Sequence, residues 1–127
     1  MNNKLMLEFS DMVHEILHGH IINLDSKMLH SVLGINTEAG EILDLVKKNM
    51  YYGKNLDLLD MKEEIGDLLF YIQSLCEAIG TSFDEIMRIN IAKLRTRYPN
   101  GYTQDKALVR DKKLERRRME KQDGREL

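Results

Sequence analysis

Apolar residues recur at intervals of three and four residues along most of the chain, which is the pattern of amphipathic α-helices. The repeats predict four helices, which cover about residues 4–22, 26–52, 60–80 and 82–97. One proline and eight glycines leave few turn residues for a strand-rich fold. The sequence therefore predicts an all-α protein built on a four-helix bundle.

Residues with capping chemistry bound these predicted helices. We expect Asp25 or Ser26 to cap the N-terminus of the second helix. We expect a residue between 55 and 60 to cap the third helix, and Gly80 to end it. Ser82 opens the fourth helix with a glutamate three residues later, which is the spacing of a capping box. This helix must end before the chain's single proline, because the residue that precedes a proline is driven out of helical conformations.

Charge divides the chain into two parts of opposite sign. Residues 104–127 contain nine Lys or Arg and six Asp or Glu, which gives +3, whereas residues 1–103 contain ten and fifteen, which gives −5. We therefore expect an all-α domain over residues 1–103 and a charged C-terminal tail or helix over residues 104–127. The acidic body argues against nucleic acid as the main partner, because phosphate backbones attract positive surfaces.

Length and cysteine content indicate the number of domains, the oligomeric state and the cellular compartment. A chain of 127 residues indicates one domain, and a four-helix bundle of this length is thin, so we expect a homodimer or homotetramer. The single cysteine, Cys76, excludes a disulfide framework within one chain and fits a reducing compartment. No apolar stretch approaches the roughly 20 residues that span a bilayer, and no signal-type apolar block follows the N-terminus. We expect a cytoplasmic protein without a membrane segment.

Two pairs of acidic residues interrupt the apolar faces of the second and third helices. Glu38 and Glu41 form one pair and Glu64 and Asp67 the other, and a spacing of three places both members on one helix face. The phase puts Glu64 in the apolar stripe expected to face the core, where a lone carboxylate is costly unless it is neutralised, paired or bound to metal. Four acids on two antiparallel helices can together hold Mg²⁺ or Mn²⁺. Glu63, the residue before Glu64, points about 100° away from Glu64 around the helix, and it is either a further metal ligand or a surface acid.

The order of motifs makes a family resemblance specific. The stretch from His30 to Tyr102 resembles the MazG-like all-α nucleoside triphosphate pyrophosphohydrolases, through TEAGEILDLVKK at 37–48, EEIGDLLFYI at 63–72 and NIAKLRTRYPNGY at 90–102. The resemblance implies an oligomeric helical bundle that uses Mg²⁺ to split a (deoxy)nucleoside triphosphate between its α and β phosphates, which releases the monophosphate and pyrophosphate. It also implies that the four acids are the metal ligands and catalytic centre, and that the substrate-binding residues are Asn90 and Lys93.

A triphosphate substrate also requires cations and a surface for its base. Lys48 lies beyond the first acidic pair on nearly the same face, and Lys93 and Arg97 share a face of the fourth helix. Tyr71 is a candidate to border the base, although ordinary core packing accounts for it equally well. Lys54, in the loop after the second helix, is a weaker candidate for a phosphate contact.

A competing motif lies in the first helix. His14-Glu15-Ile16-Leu17-His18 matches H-E-x-x-H, in which two histidines bind zinc and the glutamate activates water in metallopeptidases. The continuation that supplies a third histidine in one branch of these enzymes is absent, and Glu15 points away from the apolar face. The alternatives are therefore a zinc metallopeptidase and two histidines at the boundary of the fold.

A third class of function rests on the C-terminal tail. The run Arg116-Arg117-Arg118, with Lys112 and Lys113, would suit a non-catalytic interaction protein that acts through this basic segment. Acidic residues interspersed at helical spacing fit a solvated helix with ion pairs equally well. If the tail carried the function, the acids on the apolar faces would have no reason to be there.

Overall fold

A computed structural model describes residues 3–17 and 24–124 of the chain. These residues form two compact units, one that extends to Gly80 and one that begins at Thr81. No strand occurs within these two ranges, so the prediction of an all-α protein is confirmed. The helices are α1 Asn3–Leu17, α2 Leu24–Tyr52, α3 Leu58–Ile79, α4 Phe83–Arg97, α5 Gln104–Leu108 and α6 Lys112–Gln122. The boundary predicted after residue 103 and the four-helix bundle stay predictions.

Helix α3 has both of its predicted ends. Asp57 caps its N-terminus, and the carboxylate accepts hydrogen bonds from the backbone N–H groups of Leu59 at 2.7 Å and Asp60 at 3.4 Å. Gly80 ends the helix in the left-handed conformation at φ 70°, which glycine adopts without steric cost. The helix that carries Glu64 and Asp67 therefore begins and ends where the sequence predicts.

Helix α4 begins with half of the predicted capping box. The Ser82 hydroxyl accepts the backbone N–H of Glu85 at 3.3 Å. The Glu85 carboxylate, however, accepts a hydrogen bond from the Thr81 hydroxyl instead of the backbone N–H of Ser82. The helix ends at Arg97, before the chain's single proline, as the sequence predicts.

Helix α2 begins earlier than the sequence predicts. Its first described residue is Leu24, so Asp25 and Ser26 lie within the helix, and the prediction that either one is the cap is wrong. Helix α1 occupies residues 3–17. Residues 18–22, which the sequence assigned to the first helix, lie outside the described residues.

Helices α2 and α3 form an antiparallel pair in the first unit. Residues 53–57 connect them, and three contacts define their register: Lys27 with Glu77, Ser31 with Ser74, and Gly34 with Tyr71. As the residue number rises by three or four on α2, it falls by the same amount on α3. One turn beyond the contact of Gly34 with Tyr71, this register places residue 38 of α2 opposite residue 67 of α3. The next turn places residue 41 opposite residue 64.

Small and polar side chains fill the centre of the first unit. The Ser31 and Ser74 hydroxyls, both fully buried, share a hydrogen bond of 2.7 Å. The amide of Gln73 donates to the Ser10 hydroxyl of α1 at 2.8 Å. Val13 is the one buried apolar residue of α1 among the described residues. This polar seam joins the three helices and satisfies its own hydrogen-bonding groups.

The apolar stripe of α3 that the sequence predicts to face a core is partly covered within this chain, since Leu68, Ile72 and Leu75 are half-buried. The buried residues of α3 are Gln73, Ser74, Cys76 and Ala78, whereas Ile65 and Leu69 are more than 40% exposed. On α2, a row of apolar side chains lies opposite the surface that contacts α3 and stays exposed. That row contains Leu29, Val32, Leu43 and Met50, with exposed fractions of 61%, 42%, 67% and 68%.

In the second unit, α6 packs against α4 and the two helices run antiparallel. Arg97, the last residue of α4, pairs with Glu115 near the start of α6, and Ile89, in the middle of α4, lines a cavity with Asp123 just beyond α6. The tail therefore includes a helix with its own packing partner. The sequence alone leaves open whether residues 104–127 form a tail or a helix.

Glu115 is the most buried acid among the described residues, with 2% of its surface exposed. Arg97 donates two hydrogen bonds of 3.0 Å to its carboxylate oxygens, one from Nε and one from Nη2. Arg110 donates two more, at 3.3 Å and 2.6 Å. These hydrogen bonds lower the pKa of Glu115 from 4.5 to about 2, since Arg97 and Arg110 both favour the ionised carboxylate. Glu115, Arg97 and Arg110, which we call the Glu115 triad, join α6 to the end of α4.

Within the described residues, no helix combines the length and apolar character that crossing a bilayer requires.

Candidate metal centre and substrate-binding residues

Three of the four predicted acidic ligands lie together in the first unit. Glu38 of α2 and Glu64 and Asp67 of α3 each offer a carboxylate oxygen, and these oxygens all lie within 4.8 Å of one another. Glu38 and Glu64 are half-buried, and Asp67 is exposed. None of the three forms a hydrogen bond or ion pair with another described residue, so their mutual repulsion has no neighbouring cation to offset it.

The register of the α2–α3 pair explains this arrangement. The Ser31–Ser74 hydrogen bond and the contact of Gly34 with Tyr71 fix how the helices slide along each other. Glu38 lies one turn beyond Gly34 on the same face of α2, and Asp67 lies one turn before Tyr71 on α3. The local helical pattern and the polar seam thus together bring the carboxylates to one place.

Glu64 carries the electrostatic signature of this cluster. Its pKa is raised from 4.5, first because the side chain loses solvation, and then because Glu38, Glu41, Glu63 and Asp67 repel its negative charge. The two remaining predicted ligands therefore lie close enough to act on Glu64 through their charges. A divalent cation in the cluster would remove this repulsion.

Glu41 and Glu63 differ from the three clustered acids. Both are exposed, and neither belongs to the group whose oxygens lie within 4.8 Å of one another. Glu41 lies opposite Glu64 in the register of the two helices. The structure therefore brings together Glu38, Glu64 and Asp67, and leaves Glu41 and Glu63 at the margin of the cluster.

Lys48 lies on the same helix as the first acidic pair but has a carboxylate partner of its own. Its ammonium group pairs with Asp44 four residues earlier, and Lys47 approaches the same carboxylate at 3.4 Å. Asp44 raises the pKa of Lys48, and the negative charge of Glu41 adds to this effect. In return Lys48 lowers the pKa of Asp44. Asp44 is not among the residues predicted from the sequence, although its spacing of four from Lys48 is the signal of a helical ion pair.

Tyr71 packs against α2 in the first unit. A methyl group added at Gly34 would overlap its ring, so glycine is required for this close approach of the two helices. The ring also makes edge contacts with His30 and Phe70, at centroid distances of 5.6 Å and 5.3 Å. The side chain is half-buried. These contacts give Tyr71 a packing role, one turn away from Asp67 on α3.

The remaining predicted substrate contacts lie on α4 and in the loop after α2. Asn90 is exposed and Lys93 is half-buried, three residues apart on α4. Arg97, one turn further, is committed to Glu115, which also raises its pKa. Lys54 is exposed, and its backbone carbonyl accepts a hydrogen bond of 2.8 Å from the Asn49 side chain.

The H-E-x-x-H motif is only partly described. His14 is exposed, and its Nδ1 lies 3.6 Å from a carboxylate oxygen of Glu77. Glu15 is exposed as well. His18 lies outside the described residues, so the zinc alternative gains no supporting geometry. The cluster of potential metal ligands found in the described residues contains no histidine.

The donor set of the cluster suits a hard divalent cation. Its three side chains offer carboxylate oxygens alone, which are the ligands that Mg²⁺ and Mn²⁺ prefer, whereas zinc sites are typically built from cysteine and histidine. Asp67 is exposed, so a bound ion would keep open positions for water and for the oxygens of a ligand. Such a site is suited to the hydrolysis of phosphoanhydrides.

Comparison with known proteins assigns the chain to a family. The model of the MazG nucleotide pyrophosphohydrolase domain matches residues 27–102, which is more than half of the chain. A search of curated proteins and a search of solved structures found no match. The matched range includes α3, α4 and nearly all of α2, and with them the acidic cluster. The chain belongs to the MazG nucleotide pyrophosphohydrolase family.

Proposed function

We propose that this protein hydrolyses a (deoxy)nucleoside triphosphate between the α and β phosphates, with Mg²⁺ or Mn²⁺, to give the nucleoside monophosphate and pyrophosphate. The family supports nucleotide pyrophosphohydrolase activity. The observation that carries the metal dependence is the cluster of Glu38, Glu64 and Asp67, whose oxygens converge with no cationic side chain paired to them among the described residues.

The acidic cluster would hold the divalent cation. Glu38, Glu64 and Asp67 are the proposed ligands, Glu41 is the proposed fourth, and Glu63 is a weaker candidate. A bound ion supplies charge neutralisation for phosphate oxygens and a lowered pKa for an attacking water. The contribution of the protein is a fixed set of carboxylates, held in place by the helix register before the substrate arrives.

Cationic and polar residues would bind the substrate. Asn90 and Lys93 are proposed from the family motif, and Lys93 is the first choice for a phosphate contact because no described carboxylate pairs with it. Lys48 and Arg97 already have acidic partners, Asp44 and Glu115, so substrate binding would have to compete with those ion pairs. Other proposed contacts, less well supported, are those of Tyr71 with the base and of Lys54 with a phosphate.

We also propose that the protein works as a homodimer or homotetramer. In the apolar row on α2, the side chains of Leu29, Leu43 and Met50 are each more than half exposed, and single chains rarely leave a contiguous apolar surface uncovered. A second copy of this chain would cover it. Light scattering coupled to size exclusion gives the mass, and Leu43→Glu should shift the mass toward that of the monomer of 14.9 kDa. An unchanged mass would refute the role of this row.

The activity is tested by product analysis. Purified protein with Mg²⁺ should release pyrophosphate and a monophosphate from at least one member of a panel of canonical and modified nucleoside triphosphates. Release of a diphosphate and inorganic phosphate would contradict the proposed bond, and absence of any release across the panel would refute the function. Fractionation of cells tests the cytoplasmic location, which stays a prediction.

Matched variants test the ligands. Glu38→Gln, Glu64→Gln and Asp67→Asn should each abolish turnover while the helical content stays unchanged. Asp60→Asn is the control, because it removes an acid from the first turn of the same helix, outside the cluster. Full activity in the cluster variants, or equal loss in the control, would refute the assignment. Glu41→Gln decides whether the fourth acid is a ligand.

A further inference from the structure

A cavity in the second unit is lined by three cationic side chains, and none of the described residues that line it is acidic. It lies between α4 and α6 and has a volume of about 460 Å³, within the roughly 300–1,000 Å³ typical of small-molecule sites. Arg95 of α4 and Arg118 and Lys121 of α6 are its three charged residues. Thr96 and Gln122 add a hydroxyl and an amide to the lining.

Helical spacing and the packing of α6 on α4 bring these cations to one cavity. Arg118 and Lys121 are three residues apart, so they lie on one face of α6, and Gln122 follows on the same face. Arg95 and Thr96 occupy the last turns of α4, which α6 covers in the antiparallel packing. The Glu115 triad fixes this packing and thereby holds the two sources of charge beside one cavity.

The nearby acids of α6 are already engaged elsewhere. Glu115, three residues before Arg118, is shared by Arg97 and Arg110. Glu120 pairs with Arg116 at 2.6 Å. No ion pair joins any of the three cations of the cavity to a described residue, and Arg118 has no acid four residues away on either side.

These three cations, which have no ion-pair partner among the described residues, repel one another around the cavity. The C-terminal ends of the helices offset part of this cost for Arg95 and Lys121, which lie in last turns, but not for Arg118 in the middle of α6. An anion of high charge density would remove the remaining repulsion and accept charge-assisted hydrogen bonds from all three side chains.

We propose that this cavity binds a small oligophosphate: a diphosphate or triphosphate group, either as the free inorganic anion or as part of a nucleotide. Arg95, Arg118 and Lys121 are exposed and surround one cavity that is open to solvent, and this grouping favours a compact anion. A nucleic acid would need an extended basic track, and the net charge of −2 for the whole chain disfavours a long polyanion. This cavity shares no residue with the acidic cluster.

Binding is measured by calorimetry on the full chain at physiological salt, after all metal has been removed from protein and buffers with a chelating resin. The probes are inorganic pyrophosphate, tripolyphosphate, ATP and AMP. We expect saturable binding of pyrophosphate, tripolyphosphate or ATP, and much weaker binding of AMP. If tripolyphosphate equals ATP, the anion alone is recognised; if ATP binds more tightly, the nucleoside adds contacts.

Charge variants locate the site. Arg118→Gln and Lys121→Gln should each weaken oligophosphate binding by about tenfold or more, as expected for the loss of a charge-assisted hydrogen bond. The controls Arg116→Gln and Arg88→Gln remove one positive charge from the same two helices, at residues paired with Glu120 and Asp84. These controls should change the affinity by less than about twofold, which is the scale of a diffuse charge effect.

Three results would overturn the proposal. The first is no binding of pyrophosphate, tripolyphosphate or ATP at millimolar concentrations. The second is equal weakening in the control variants, which would indicate a general effect of charge. The third is tighter, Arg118-dependent binding of a single-stranded oligonucleotide, which would make the surface a nucleic-acid site. Because no metal is present, these results do not depend on whether the protein hydrolyses nucleotides.

Discussion

Replacement of Glu115 by glutamine provides the sharpest test of how the C-terminal helix is held. The carboxylate is 2% exposed and accepts four hydrogen bonds from Arg97 and Arg110. In Glu115→Gln, the two guanidinium groups would face each other beside a neutral amide. Arg97 is itself mostly buried, with 14% of its side chain exposed, so solvent cannot replace the lost charge.

The structure gives the size of the effect. A pKa lowered from 4.5 to about 2 corresponds to about 3 kcal/mol of folding free energy at neutral pH. This agrees with the roughly 3–5 kcal/mol typical for removal of one partner from a buried ion pair. Because the pKa of the folded state is the lower one, this stabilisation is complete above pH 4.5 and is lost as the pH falls toward 2.

Urea unfolding followed by circular dichroism at pH 7, 5, 4 and 3 measures this contribution. Glu115→Gln should unfold at a lower urea concentration at pH 7, and the difference from the unaltered chain should narrow below pH 4.5. Faster tryptic cleavage within α6 should accompany the loss. Glu120→Gln is the control, because its more exposed pair with Arg116 is expected to contribute less than about 1 kcal/mol. Equal stability of Glu115→Gln and the unaltered chain would refute the reasoning.

Other predictions concern the first unit and the proposed site. Gly34→Ala should destabilise the protein by about 1–3 kcal/mol because the new methyl group overlaps Tyr71, and the cost should disappear in a Tyr71→Ala background; a double-mutant cycle of urea midpoints measures this coupling. Glu64→Gln should stabilise the metal-free protein at pH 7, because a raised pKa means that ionisation opposes folding. The gain should shrink as the pH falls toward 4.5 and be absent below it; thermal melts across pH show whether it does. Lys93→Ala should raise KM more than it lowers kcat if the residue contacts ground-state phosphates, and steady-state kinetics would contradict this role if KM stays constant. Chelation of divalent ions should stop turnover and Mg²⁺ or Mn²⁺ should restore it; activity that survives chelation would exclude metal dependence.

Helix positions and the placing of Glu64 and Asp67 on one helix face follow from local pattern. The cap at Asp57, the end at Gly80 and the spacing of Glu64 and Asp67 depend on neighbours within one or two turns, so the sequence alone predicts them. How far the apolar stripe of α3 is covered could not be predicted: Leu68 and Ile72 are half-buried, whereas Ile65 is exposed. Helical phase identifies a stripe but not what covers it, and the small, polar Ser74 lies in the contact with α2 instead.

No local sequence pattern predicts that Glu115 is buried. The segment around it is rich in charges at helical spacing, which normally indicates a solvated surface. Its partner Arg97 lies 18 residues earlier on another helix, and no local spacing connects the two. The role of Gly34 was missed for a similar reason, since only the approach of Tyr71 from α3 reveals why a side chain cannot fit there.

The hydrogen bond between Ser31 and Ser74 has a consequence for how this sequence can vary in length. A change in the number of residues within the connection at 53–57 leaves the seam intact, because the two hydroxyls still meet further along the helices. One residue inserted between Asp67 and Ser74 would instead turn the acids by about 100° relative to the seam, away from Glu38. The number of residues between Asp67 and Ser74 therefore determines whether the acids of α3 face Glu38. Relatives that keep this site should vary in the length of the connection at 53–57 but conserve the interval from Asp67 to Ser74.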